Sequence, residues 1–237
     1  MLYIIGIGLN PQGITKEGML ALDSCNKVFL EGYTVDFPYD IEDLHLGKKK
    51  IEILGRKEVE SNFLIKEAKS KKVALLVYGS PLFATTHMTL VRDAQEQGTR
   101  VKVIYSASIF DALAGTGLQL YKFGKITSMP AWKENYNPDS FMDVVKDNKS
   151  IKAHSLILSD IGLGFKRAIN QFEKAVKNKK IKLDKIIVCS QMGTEDSKVY
   201  YDNIENLKNQ KIRMPFCIII PEDLHFMEKE VLEEASK

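Results

Sequence analysis

A chain of 237 residues, 44% of them hydrophobic, can bury a sizeable core as one large domain or as two of about half that length. Its net charge of +3 is spread along the whole chain, so no basic face announces direct nucleic-acid binding, and no apolar run approaches the roughly 18 to 20 residues of a membrane span. Cys25, Cys189 and Cys217 are far apart, odd in number and set in apolar runs, which favours reduced core thiols in a soluble cytoplasmic protein over disulfides or a metal site.

Residues 2–7 are apolar and β-branched, and lead through Gly6, Gly8, Leu9 and Asn10 to Pro11 and Gly13, a strand followed by a glycine turn. Thr15 is placed to cap a helix running to about Ser24. The turn approximates a dinucleotide-binding GxGxxG, but the third glycine falls at Pro11. Residues 28–31 form a second strand ending in Glu31, an acid that either meets a ribose hydroxyl or is simply solvated. Residues 37–50 read as a surface loop with a solvated His45 and the run Lys48, Lys49, Lys50. An edge strand at 51–54 and a helix over 58–70 follow, the helix carried by Val59, Phe63, Leu64 and Ala68.

Residues 73–77 are an unbroken apolar run, the mark of a strand buried on both faces of a parallel sheet. Gly79, Ser80 and Pro81 break it, and Thr85 and Thr86 stand where they could cap a helix over 87–97. Another strand at 101–105 ends in the small-residue turn Ser106 to Ile109, before a helix over 110–114. Strands alternating with helices imply parallel crossovers, and ligands gather at the carboxyl ends of such strands. Three strand ends therefore carry residues suited to a ligand: Gly6 to Leu9, Gly79 to Phe83, and Ser106 to Ile109.

Gly115, Gly117 and the polar stretch 121–125 close the first domain, giving expected domains of 1–121 and 122–237. The second half reads as strands at 126–129, 155–159, 186–190 and 216–220, with helices over 140–146, 165–176 and 222–235. Ser140 with Asp143 approximates a capping box, and Trp132 lines a pocket or seals a domain seam. Ser159 and the turn Gln191, Met192, Gly193 again end strands in small or turn residues. No phosphate-binding GxxxxGK[ST], HExxH, CxxC or GxSxG is present, and neither Asp160, Glu31 nor the four histidines form a spacing that identifies an acid/base pair.

Taken together, GIGL at Gly6 to Leu9, EGYT at Glu31 to Thr34, GSPLFATTH at Gly79 to His87, SASI at Ser106 to Ile109, TGLQLYKFGK at Thr116 to Lys125 and PEDLH at Pro221 to His225 resemble the diphthine synthase family. The resemblance runs over nearly the whole chain. It implies an α/β protein of two domains with the tetrapyrrole-methylase fold, each domain a sheet flanked by helices, with S-adenosylmethionine (SAM) in the interdomain cleft and no metal. It further implies a homodimer of archaeal type that repeatedly methylates the amino group of the modified histidine of translation elongation factor 2, leaving S-adenosylhomocysteine. Positions matching the family's SAM contacts are Leu9, Ser80, Phe83, Ser108 and Ile109, and in the second domain Ser159, Met192 and Phe216. The chain departs from the family at Ser80, where Asp is usual, and at Gln191 to Gly193, where the family has a turn of the Arg-Ala-Gly type. Methyl transfer from a sulfonium needs no dedicated base, so the catalytic set is unassigned; His87, at a helix start, is either structural or the one titratable candidate for catalysis. Alternatives are a corrinoid or ribosomal-RNA methyltransferase of the same fold, or a non-catalytic protein that docks on the elongation factor.

Overall fold

In the computed structural model, which describes residues 1–47 and 49–236, the chain divides into two compact units, Met1–Asp111 and Ala112–Lys237. The first contains β1 (Leu2–Gly6), α1 (Lys16–Asp23), β2 (Lys27–Glu31), β3 (Ile51–Leu54), α2 (Arg56–Val59), α3 (Phe63–Ser70), β4 (Val73–Val77), α4 (His87–Glu96), β5 (Val101–Ile104) and the start of α5 (Ile109–Ala112). Its five strands form one wholly parallel sheet in the order β3-β2-β4-β1-β5. Strand β4 lies at the centre with all five residues buried, as its uninterrupted apolar run requires. Val73, Leu75 and Val77 point to a core shared with α3 and α4, whereas Ala74 and Leu76 point to the opposite core, shared with Leu22 of α1 and with Leu44 and Leu46. Period-two alternation along one strand thus supplies both faces.

The second unit contains β6 (Thr127–Met129), α6 (Phe141–Ser150), β7 (Ser155–Ser159), α7 (Phe165–Asn178), β8 (Ile186–Ser190), β9 (Lys198–Asp202), α8 (Ile204–Leu207), β10 (Phe216–Ile220) and α9 (Phe226–Ala235). Its sheet, ordered β6-β7-β10-β8-β9, is mixed. Strand β6 pairs parallel to β7, but β10 inserts antiparallel to both β7 and β8, and β8 and β9 form an antiparallel hairpin. Phe172, Ile169 and Ala175 of α7 and Val145 of α6 pack on Ile157, Val188 and Ile218 of this sheet.

Several local expectations are corrected. The helix expected over 58–70 is broken into α2 and α3, because Ser61 turns its hydroxyl to accept from the Phe63 amide, a local bond that competes with helix continuation. Strand β9, KVYYD, is a strand the sequence reading does not contain: it is polar at both ends and nowhere fully buried, and its pairing with β8 makes it a strand. Ser140 makes no side-chain cap bond and α6 begins at Phe141. The last helix starts at Phe226, where His225 caps it and Glu228 closes the box. Residues 112–121 lie in the second unit: a Cβ at Gly117 would stand 2.5 Å from Val231 of α9, and the Gln119 amide donates to Glu228. Trp132 packs against the core of the second unit with its indole N–H donating to the Pro138 carbonyl. The lysine run falls partly outside the described residues at Lys48, while Lys49 anchors on the Asp23 and Cys25 carbonyls.

Candidate functional site

At the carboxyl ends of β1, β4 and β5 the three turns singled out in the sequence come together. Gly8 and Gly79 exchange backbone hydrogen bonds, from the Gly8 amide at 3.2 Å and from the Gly79 amide at 2.9 Å, and both have positive φ, 72° and 71°. A Cβ built at Gly79 would point toward Ala107 O, Leu9 Cδ2 and Ser108 Cα at 3.7 to 3.9 Å, so this one glycine faces the other two turns at once. Gly6 is required for a different reason: a Cβ there would lie 2.6 Å from the Gly79 carbonyl and 2.9 Å from Pro81 Cδ.

Each turn is pinned from behind. The Tyr78 hydroxyl donates to the Leu9 carbonyl at 3.1 Å, and the Ser106 hydroxyl donates to the Gly13 carbonyl at 2.8 Å. Ser108 gives both its amide and its hydroxyl to Asp111 Oδ2, at 2.6 and 2.7 Å, and these bonds hold the Asp111 carboxyl below the usual carboxylate range. Asp111 was not singled out in the sequence, although the Ser-x-x-Asp spacing was there to be read. Burial pushes the Tyr78 phenol well up, so it is a neutral donor. Ser80 and Phe83 are half-buried, and Phe83 stands with its ring centroid 6.2 Å from that of Phe110. The sequence positions Leu9, Ser80, Phe83, Ser108 and Ile109 therefore share one end of the first sheet. Glu31 does not serve as a free acid there. It is 1% exposed and accepts from the Tyr33 amide and the Thr34 hydroxyl within its own turn.

His87 is buried, beside a cavity of about 340 Å³ also bordered by Val59, Ile65 and Leu90. Its Nδ1 bonds the Pro81 carbonyl at 2.9 Å, and its Nε2 is buried with no hydrogen-bond partner. The Thr86 hydroxyl makes no cap bond and instead donates to Glu60, while the Thr85 hydroxyl donates to the Pro81 carbonyl.

In the second unit the Ser159 hydroxyl donates to the Phe216 carbonyl at 2.6 Å. Phe216 in turn stacks edge-on against Phe165 at 5.4 Å. Gln191, at φ 50°, donates its amide to Pro215 and its Nε2 to Met214, which fixes the turn that carries buried Met192. The ends of β7 and β8 and the start of β10 thus bring Ser159, Met192 and Phe216 to one end of the second sheet.

The most specific sequence motifs turn out to be structural. Lys122, from YKFGK, donates to Glu228 Oε2 at 2.5 Å and to the Asp223 carbonyl of PEDLH at 2.7 Å. His154, fully buried, accepts from the Glu222 amide through Nδ1 and faces Glu228 through Nε2 at 3.3 Å. Burial lowers the His154 pKa, and with Nδ1 accepting, the ring is neutral and carries its proton on Nε2. No spacing rule joins residues 122, 154 and 228, so this network has no signature in the sequence.

Residues 1–208 match the family of tetrapyrrole (corrin/porphyrin) methylases. Over 98% of its length the chain is 37% identical to a diphthine synthase of Methanocaldococcus jannaschii and 34% identical to one of Methanococcus maripaludis, covering 98% of each relative. The chain belongs to the diphthine synthase family. A crystal structure of a diphthine synthase superposes with a TM-score of 0.88 at 30% identity, over 99% of this chain and 95% of that one. Diphthine synthase family membership makes the protein an S-adenosylmethionine-dependent methyltransferase with the tetrapyrrole-methylase fold. Among the described residues no group of histidine, cysteine or acidic side chains is arranged to hold a metal, and no helix is long and apolar enough to cross a membrane.

Proposed function

We propose that this protein methylates, repeatedly, the amino group of the modified histidine of translation elongation factor 2 in diphthamide biosynthesis, and that it works in the cytoplasm as a homodimer without a metal. The observation that carries the proposal is the end-to-end similarity to diphthine synthases, which spans both units and not the methylase core alone. Leu9, Ser80, Phe83, Ser108 and Ile109 in the first unit, and Ser159, Met192 and Phe216 in the second, are the proposed SAM contacts. The chemistry of the first set suits the ligand. Leu9, Phe83 and Ile109 offer apolar surface to a flat base, and the Ser80 hydroxyl offers a neutral hydrogen bond to a sugar hydroxyl.

SAM supplies a methyl group on a positively charged sulfur, so the leaving group is already activated. The protein's task is to hold a neutral amine in line with that methyl and to exclude water from it. The clustered turns provide fixed backbone for this, and each methylated amine, left as an ammonium, gives up its proton to solvent before the next transfer. Mass spectrometry of elongation factor 2 from a strain lacking the enzyme, after incubation with protein and SAM, tests the assignment. A gain of one or more methyl masses on the modified histidine is expected; methylation of a corrinoid or of ribosomal RNA with none on the elongation factor would overturn it.

A further inference from the structure

The Pro81 carbonyl, one residue beyond Ser80, accepts two hydrogen bonds from the segment that follows it: from Thr85 Oγ1 at 3.1 Å and from His87 Nδ1 at 2.9 Å. A carbonyl can only accept, so Nδ1 carries a proton, and the nitrogen left over on the ring is Nε2. That second nitrogen is sealed inside the protein without a partner, on a ring only 2% exposed. A general base needs a lone pair within reach of the proton it takes, and His87 presents none. Between the two donors and the carbonyl they hold lies Ala84 at φ 53°, a left-handed conformation disfavoured for a residue with a Cβ. On its other side Pro81 abuts Gly6, where any Cβ would collide with the proline ring. The turn bearing Ser80 and Phe83 is thus held in a disfavoured shape by two donors converging on one oxygen.

We infer that His87 and Thr85 are positioning residues, which clamp the Pro81 carbonyl and so set the Ser80–Phe83 turn for the cofactor. The inference rests on the reading that this turn contacts SAM. It assigns the function of His87 to Nδ1 alone, and that makes a sharp distinction between two substitutions. Asn places an amide N–H where Nδ1 stands, whereas Gln places one where Nε2 stands.

The experiment compares His87→Phe, His87→Asn, His87→Gln and the near-isosteric Thr85→Val. Steady-state kinetics with SAM are paired with hydrogen exchange of the Phe83 amide, which donates to Ser80 O at 3.1 Å, in protein without SAM. Loss of one such hydrogen bond is expected to raise the KM for SAM about three- to tenfold in H87F and T85V with kcat little changed. Phe83 exchange should quicken by a similar factor. H87N should recover most of the lost affinity and H87Q should not. An unchanged KM in folded H87F and T85V, a fall in kcat alone, or equal rescue by Gln would overturn the inference. Wild-type protein that takes up no SAM would instead overturn the methyltransferase reading, and Phe83 exchange in the variants would still decide whether the clamp exists.

Discussion

At the scale of single residues, Glu228 is a tightly constrained side chain. It is 1% exposed and accepts from four donors: the Gln119 and His225 amides, Lys122 Nζ and His154 Nε2. Burial, the strongest single influence, pushes its pKa up, yet the donors together overcome it and hold the carboxyl at about 2. A carboxyl depressed from 4.5 in this way contributes stability that is complete above about pH 4.5 and is lost as pH falls toward 2. The gap corresponds to on the order of 3 kcal/mol. Glu228→Gln is therefore expected to lower the unfolding free energy at pH 7 by about that amount, and to cost much less at pH 3. Urea denaturation at the two pH values checks this, and an equal loss at both would show that packing and not charge is at stake. His154 acts in the same direction at higher pH. Its burial-lowered pKa means that stability is full above about 6.5, the usual histidine value, and declines as the medium is acidified below it. Neither residue could be ranked from the sequence, because apart from the His225 amide their partners lie 68 to 109 residues away.

At the scale of elements, what was legible followed from the physics of each element. Strands β4, β8 and β10 are built on apolar runs and β7 on a shorter one between Ser155 and Ser159; all four are followed by turn residues and fall where the sequence places them. The first helix was visible through Thr15, whose hydroxyl accepts from the Gly18 amide. Polar strand β9 and the break between α2 and α3 were not visible, since hairpin pairing decides the first and a single serine bond the second. The antiparallel insertion of β10 is a tertiary outcome with no local signature. The strap formed by residues 117–125 was visible as a motif but not as a structural element. Its Gly124 lies so close to α6 that a Cβ would stand 2.2 Å from Asn148 Oδ1, the atom that accepts from the Lys125 amide. The same carboxamide also donates to the Lys125 carbonyl and to Ser155. Gly124→Ala must displace it, and a loss of roughly 2 to 4 kcal/mol is expected. Thermal and urea unfolding would measure it, and a variant as stable as wild type would show that the strap has room to shift.

At the scale of the whole molecule, two sheets of different construction each gather small and turn residues at one end. In the first unit the convergence on Gly79 was foreseeable, because a parallel sheet places successive strand ends on one edge. In the second, Phe216 followed only from family resemblance, since a residue opening an antiparallel strand gives no local sign of lying beside Ser159. We propose that the strand-end turns of the first unit hold SAM, with Ser80 facing it at the position where the resemblance leads one to expect Asp. The measurement that tests this most directly is calorimetric titration of SAM into wild-type and Ser80→Asp protein. A charge-assisted hydrogen bond is roughly twice as strong as a neutral one, so saturable binding to wild type is expected, with affinity up to about tenfold higher in the variant. No saturable binding to either protein, or equal affinity in both, would contradict the claim.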